Sequence, residues 1–354
     1  MKHNDSDRRQ IMPNEGRKDR VLRGAIVGFG NAAVHAHLPA WQRSDRFAID
    51  AVVEPDLQRA HVAKGLLAAA SVYDSMEPLF ARGDLDFVDI CTPSYSHAAL
   101  IERALGAGLH VLCEKPLVTS IESLKRIEAV KPENAVLFTV NNWKHAPLWI
   151  RTQDLVRSGR LGSIQSVFLS VLRPPNSGGG SSDWRRNAET AGGGILLDHG
   201  WHQLYLVRSV MNRLPVAVSA EMVYAGSIEE LVDLSIRFHE GEARLHLTWR
   251  ASSRQNRGEL VGDIGRIQIN DDHLIALTEA RAETRHDFAE PLSGGSHHAA
   301  WMEKVIDDFY EEIVDESTRG ANMEEARWCA RLIHCAYLSS REGSRYVRVD
   351  DIAP

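Results

Sequence analysis

From residue 22 onward, short apolar runs alternate with stretches of helical periodicity. The pattern predicts strands at 22–27, 47–53, 70–73, 86–91, 109–113 and 135–140, with helices at 56–68, 96–107 and 120–130. Short apolar strands separated by helices pair in parallel through βαβ crossovers. Pro39 falls inside the helix that should follow the first strand and is predicted to kink or shorten it. After residue 142 the texture changes. A helix is predicted at 147–158, then a turn and a long strand through GRLGSIQSVFLSVLRP, then a mobile loop in the proline-, glycine- and serine-rich PPNSGGGSSDW at 174–184. A helix at 193–211 follows. Alternation of apolar and polar residues predicts antiparallel strands at 216–224, 230–239, 242–250 and 265–270. Two helices, 299–316 and 322–341, close the chain, and Trp301, Val305, Phe309, Leu332 and Cys335 recur at helical spacing as packing residues.

Composition narrows this picture. A chain of 354 residues favours two domains, and 44% hydrophobic with 25% charged residues is ordinary for a globular protein. The boundaries read as a disordered tail at 1–20, a first domain at 21–141 and a second at 142–354. Arg8-Arg9 lacks the apolar segment that an export signal would place after it. The net charge of −7, with no long basic run, gives no nucleic-acid footprint. No apolar run reaches the length of a membrane span. Cys91, Cys113, Cys329 and Cys335 show no C-x-x-C spacing, so reduced thiols and a cytoplasmic location are expected.

The first chemistry lies at the end of the first strand. RGAIVGFGNAA runs from apolar strand into Gly28-x-Gly30-x-x-Ala33. Gly28 allows a tight turn, Gly30 lets backbone approach a pyrophosphate, and Ala33 stands where a third small residue lets helix and strand pack closely. Gly28, Phe29, Gly30, Asn31 and Ala32 are therefore expected to bind a dinucleotide. The strand FAIDAVV ends in Glu54, placed to accept hydrogen bonds from the adenosine ribose and to repel a 2′-phosphate. That favours NAD over NADP. Ligands in such open sheets bind outside the carboxyl ends of the strands, where Thr92-Pro93 and Glu114-Lys115 also fall.

Two further segments carry proton chemistry. CEKPL at 113–117 puts Lys115 at a strand end, and GGGILLDHGWHQ at 192–203 puts Asp198 and His202 four residues apart on one helix face. A lysine, a carboxylate and an imidazole suit proton transfer to or from a sugar-like hydroxyl. His199 is a rival base, with a supporting role favoured.

These segments together resemble the glucose–fructose oxidoreductase / inositol dehydrogenase (Gfo/Idh/MocA) family, in the GFGNAA turn, CTPSYSH at 91–97, EKPL at 114–117 and GGGILLDHGWH at 192–202. The resemblance covers nearly everything from residue 22 on. It implies an α/β fold class, an N-terminal Rossmann dinucleotide-binding domain plus a C-terminal α/β domain with a large, mainly antiparallel open sheet. It implies a homodimer or homotetramer. By position, Lys115 would lie near the nicotinamide and hydrogen-bond the reacting oxygen, with a cis peptide before Pro116. His202 would be the general base and Asp198 would orient substrate or imidazole. Thr92, Pro93 and His97 would shape the loop against the cofactor, with Glu114 beside it. Where relatives often carry an arginine after the sixth strand, Lys144 stands here, a point charge in place of a bidentate fork. Trp143, Lys144, Trp184 and Arg185 are the candidate substrate walls. His35, His37, His297 and His298 lack ligand-like partners at recognisable spacing, so no metal is expected.

The function implied is an NAD-dependent dehydrogenase or reductase acting on a secondary alcohol of a sugar, polyol, cyclitol or sugar derivative. Two alternatives stand beside it. One is an NAD-dependent redox-cycling glycosidase. The other is a non-catalytic dinucleotide-binding regulator, which would not need the lysine and histidine this chain keeps.

Overall fold

The computed structural model describes residues 20–175, 187–278, 283–295 and 297–350. The tail read at 1–20 and the loop read at 174–184 fall almost wholly outside those residues. The chain forms two compact units. The first comprises the described parts of Met1–Val118, Glu122–Val140 and His297–Glu324; the second comprises those of Thr119–Ile121, Asn141–Ser296 and Glu325–Pro354.

The first unit holds six strands: β1 (Leu22–Val27), β2 (Phe47–Val53), β3 (Ser71–Tyr73), β4 (Phe87–Ile90), β5 (His110–Cys113) and β6 (Leu137–Thr139). They lie in the order β3-β2-β1-β4-β5-β6, and every neighbouring pair is parallel. The strand order reverses between β1 and β4, which opens the crevice where dinucleotides bind in such sheets. Gly24 in β1 is there for packing. A Cβ on it would come within 2.2 Å of the Phe87 ring on β4, and Phe87 joins Trp41, Phe47 and Phe309 in an aromatic cluster. Pro39 has the effect expected of it. The backbone runs as a π-helix over Ala33–His37 and continues as a short α-helix, Leu38–Arg43, with the proline in its first turn.

One assignment needs correction. Residues 297–324, read as part of the second domain, belong to the first unit. The helix Ala299–Val314 contributes Met302, Val305, Ile306, Phe309 and Ile313 to the same buried core as β1, β2 and β4. Its apolar stripe is as regular as the sequence indicates; the partner it packs on is a hydrophobic surface more than two hundred residues earlier in the chain.

The second unit is built on nine described strands: β7 (Ile164–Leu172), β8 (Pro215–Ala225), β9 (Ile228–Phe238), β10 (Glu242–Thr248), β11 (Gln255–Gly262), β12 (Arg266–Asn270), β13 (His273–Leu277), β14 (Glu283–Asp287) and β15 (Val347–Arg348). Their order is β14-β13-β12-β11-β7-β10-β9-β8-β15. Only β7 and β10 run parallel among the described pairs. Several of these strands escape a reading of apolar alternation. In β11 the inward positions are Asn256, Gly258 and Leu260, so the buried face carries little hydrophobic signature. β14, ETRHD, is polar throughout. The helix Trp201–Met211 packs against β7, and the side chains of Val167, Leu169 and Val171 on that strand are buried.

Candidate active site

In the first unit the glycine turn adopts the backbone that its sequence requires. Gly28 has φ +86°, and a Cβ there would lie 2.8 Å from Thr92 Cγ2 and 3.1 Å from the Cys91 backbone. Only glycine satisfies both the conformation and the crowding. Gly30 differs. A Cβ on it would meet no protein atom within 4 Å, so no side chain crowds this stretch of backbone. The helix that follows begins with its N-terminus at the turn, an arrangement that favours phosphate.

Glu54 is buried at 5% exposure. Its Oε2 accepts the Phe29 N–H at 2.7 Å and its Oε1 accepts the Asp56 N–H at 2.9 Å. The carboxylate therefore braces the glycine turn as well as standing at the strand end. Each oxygen retains a second lone pair for a ribose hydroxyl, so the residues present fit a nicotinamide dinucleotide. Glu54→Ser is expected to weaken NADH binding and to narrow its advantage over NADPH, measured by fluorescence titration of both. An unchanged ratio would remove Glu54 from cofactor discrimination.

The segments after β4 and β5 are tied together by His97, which is 1% exposed. Its Nδ1 lies 2.9 Å from the Pro116 carbonyl and its Nε2 lies 2.9 Å from the Thr92 carbonyl. Burial lowers its pKa against the pull of the two carbonyls. His97 thus joins the segments after β4 and β5. The Lys115–Pro116 peptide is cis. The Ser96 hydroxyl lies 2.7 Å from Thr92 Oγ1 and donates toward the Pro93 carbonyl at 2.8 Å.

Glu114 leads to a network invisible in the sequence. Its Oε2 accepts the Lys115 N–H at 3.0 Å, and its Oε1 lies 3.0 Å from His37 Nε2. His37 Nδ1 lies 2.9 Å from Asp89 Oδ2, which also accepts the Trp41 indole N–H at 2.7 Å. His37 and Asp89 are completely buried. Burial disfavours the His37 cation, but the charge of Asp89 beside it, with Cys91 and the Asp89 hydrogen bond, lifts its pKa well above the usual histidine range. Burial raises Glu114, and the stronger combined pull of His37 and Lys115 brings it below the usual carboxylate range. His37 was set aside as having no ligand-like partner. In fact one of its ring nitrogens, an Asp89 oxygen and the Cys91 sulfur lie within 4.8 Å of one another. Each of these atoms has a hydrogen-bond partner within the group.

In the second unit, the GGG segment is a packing device. A Cβ on Gly194 would lie 2.1 Å from the Glu229 carbonyl oxygen, and one on Gly193 would lie 2.1 Å from the Tyr337 hydroxyl. Glu229, fully buried, accepts the Gly194 and Leu196 N–H groups at 2.8 and 3.1 Å and the Tyr337 O–H at 2.9 Å. It caps the exposed N–H groups that begin the next helical segment. Burial raises its pKa against these bonds. The predicted helix 193–211 starts later, as a π-helix over Leu196–Gly200 that continues as the α-helix Trp201–Met211. Asp198 lies in the π turn and His202 just beyond it; such widened turns recur at functional sites.

Around His202 the structure gathers two aromatic residues. The Trp143 ring stacks on the imidazole with centroids 4.7 Å apart and planes 16° apart. Tyr205 places its hydroxyl 2.7 Å from His202 Nδ1. His199 approaches Asp198, with Nε2 3.6 Å from Oδ2. Lys144 pairs with Glu325 at 3.5 Å, and Glu325 also accepts from Asn141, which in turn accepts the Trp201 indole N–H. Trp184 and Arg185 lie outside the described residues. Sequence reasoning missed Arg173, 1% exposed, which donates to the Leu172 and Gln255 carbonyls and to Asn256 Oδ1. Burial and the nearby Arg254 push its pKa down to about 10, with Asp198 and Asp271 opposing. An arginine at the end of a predicted strand resembles any solvated strand-end charge, so nothing in the sequence marked it.

Residues 22–142 match the family model described as "Oxidoreductase family, NAD-binding Rossmann fold", and residues 149–268 match the "GFO/IDH/MocA C-terminal domain". The chain belongs to the GFO/IDH/MocA oxidoreductase family. Among its relatives in that family, the dTDP-3,4-didehydro-2,6-dideoxy-alpha-D-glucose 3-reductase of Actinomadura kijaniata is 30% identical over 320 residues, covering 80% of this chain and 92% of the relative. The 1,5-anhydro-D-fructose reductase of Ensifer adhaerens is also 30% identical, over 72% of this chain and 77% of the relative. The GFO/IDH/MocA fold extends to solved structures. A levoglucosan dehydrogenase in complex with NADH superposes with a TM-score of 0.82 at 21% identity, covering 94% of this chain and all of that one. The aldose-aldose oxidoreductase of Caulobacter crescentus gives 0.81 at 23% identity over 93% of this chain and all of that one. This GFO/IDH/MocA protein is therefore an NAD(P)-dependent oxidoreductase.

Proposed function

We propose that this oxidoreductase interconverts a secondary alcohol and a ketone on a sugar, polyol, cyclitol or sugar derivative, with NAD preferred to NADP. The observation that carries the reading is His202, a buried imidazole held between Trp143 and Tyr205 on the segment that also presents Asp198. A neutral imidazole titrates near physiological pH and is suited to taking a hydroxyl proton. Bound NAD supplies the hydride acceptor or, reduced, the donor. Lys115 hydrogen-bonds the reacting oxygen, Asp198 orients the substrate, and His202 takes the hydroxyl proton, as the family resemblance implies. Trp143 and Lys144 border the substrate. The relatives that reduce or oxidise sugar derivatives support the carbohydrate-like class.

Two coarser features go with this reading. No described helix is long and apolar enough to cross a membrane, and Cys91, Cys113, Cys329 and Cys335 form no disulfide among the described residues, which suits the reducing cytoplasm. The nine-stranded sheet leaves Phe168, Val223 and Tyr224 exposed, which suits a homodimer or homotetramer joined through sheet faces.

The test is NADH formation from NAD by the purified protein across inositols, aldoses, polyols and sugar acids, with His202→Ala as control. A signal lost in the control supports the dehydrogenase and identifies the substrate class. Bound dinucleotide that survives purification, with glycoside cleavage and no net NADH, would favour the redox-cycling glycosidase instead.

A further inference from the structure

The helical segment that carries Asp198 and His202 has no local cap. The residue before the π-helix Leu196–Gly200 is Ile195, whose side chain makes no capping hydrogen bond. Helices usually satisfy their first N–H groups with a serine, threonine, aspartate or asparagine at that position. Here the acceptor comes from β9. Glu229 Oε1 accepts the Gly194 N–H at 2.8 Å and the Leu196 N–H at 3.1 Å, across 35 and 33 positions of chain. The same oxygen accepts the Tyr337 O–H at 2.9 Å from the closing helix Ala321–Arg341. Burial and the charge of Glu229 keep the Tyr337 proton in place well above the usual phenol range, so the hydroxyl is the donor.

Gly194 and Leu196 pass this anchorage on. The Gly194 carbonyl accepts the Asp198 N–H at 3.1 Å. The Leu196 carbonyl accepts the N–H of Trp201, the residue before His202. Each residue held by Glu229 through its N–H therefore holds, through its carbonyl, the backbone at or beside one member of the Asp198/His202 pair. We infer that Glu229, with the Tyr337 hydroxyl, is the positioning residue for this pair: one carboxyl oxygen fixes the backbone from which both side chains address the substrate. This rests on the proposed roles of Asp198 and His202.

The type of group matters as much as its place. A water molecule could satisfy the same N–H groups, but it would not tie them to a strand. Glu229 is completely buried, where hydrogen bonds are electrostatically stronger than in water. Its carboxylate also suits the positive end of a helical segment. The clamp closes because Gly193 and Gly194 lack a Cβ, which at either position would lie 2.1 Å from the Tyr337 hydroxyl or the Glu229 carbonyl oxygen. Sequence reasoning passed over Glu229, since a glutamate beside Glu230 reads as a solvated strand charge.

Hydrogen exchange and steady-state kinetics on the full chain test this together. Glu229→Ala should raise amide exchange in residues 192–203. It should lower kcat on the best substrate of the panel about 10- to 100-fold, the cost of a misplaced catalytic group, with KM changed much less. Glu229→Gln keeps an oxygen for all three donors and should return both properties close to wild type. In a His202→Ala background the further loss from Glu229→Ala should shrink to about threefold, because groups that act as a unit are not additive. Wild-type exchange in residues 192–203 of a folded Glu229→Ala protein overturns the inference. So does a loss of kcat that persists in full in the His202→Ala background, which is the mark of a merely structural role. Should Glu229→Ala not fold, Tyr337→Phe carries the test. Removing that one oxygen should loosen the same segment and lower kcat about two- to tenfold, the scale of one lost hydrogen bond, and wild-type behaviour there overturns the clamp. Failure of the Asp198 and His202 reading looks different: exchange would rise as expected, while Asp198→Asn and His202→Ala kept normal turnover.

Discussion

Replacing Lys115 with alanine should lower turnover by about 10²- to 10⁴-fold, the scale on which enzymes lose a group that assists proton transfer. Lys115 follows β5 at the carboxyl end of the parallel sheet, and its backbone N–H is held by Glu114. Its position is therefore set by main-chain contacts that alanine would keep. The variant should bind NADH with nearly normal affinity while failing in the chemical step. The measurement is kcat on the best substrate of the panel, paired with an NADH titration. Near-normal turnover would remove Lys115 from catalysis, and loss of both properties would assign it to cofactor binding.

The second large effect concerns stability. Asp89→Ala is expected to cost about 3–5 kcal/mol, because it strands one side of a buried ion pair. Asp89 is completely buried and accepts from both the His37 imidazole and the Trp41 indole. Without it, the buried His37 cation keeps Glu114 alone, and the Trp41 N–H loses its acceptor. The pH dependence has a definite sign. The folded pKa of His37 is raised well above its ordinary value, so its contribution is fully present below the unfolded histidine pKa and is lost as pH rises through the folded one. Glu114 is shifted downward, so its contribution is present above the unfolded glutamate pKa and is lost as pH falls through the folded one. The network therefore stabilises the fold most between these limits, and the gap between wild type and Asp89→Ala should narrow toward alkaline pH. Urea denaturation at neutral and alkaline pH measures it. Equal midpoints at neutral pH would show that the network carries no net stability.

Both predictions turn on the difference between local and distant information. The strand β1, the turn at Gly28 and Gly30, and the strand ending in Glu54 are local patterns, and their backbones follow the sequence closely. The same holds for Pro39 and for the segment carrying Asp198 and His202, although its first turn is wider than an α-helix. β11 and β14 were not legible. The inward positions of β11 carry asparagine, glycine and a single leucine, β14 is polar throughout, and what defines both is pairing with neighbouring strands.

The sequence by itself determined the parallel dinucleotide-binding half, the chemistry available at Lys115, Asp198 and His202, and the family. These depend on residue type and short spacing, where backbone preference and hydrophobic periodicity act over a few positions. Tertiary structure alone decided that the helix Ala299–Val314 completes the first unit's core, that His37 joins Asp89 and Glu114 in a buried charge network, and that Tyr205 holds the imidazole of His202. Those outcomes depend on burial and on partners 48 to 77 positions apart in the His37 network, and on a Trp143 backbone N–H 62 positions from Tyr205. A residue's type does not say whether it is desolvated or what faces it, and both the strength of a hydrogen bond and the charge of a histidine are set by exactly those two conditions.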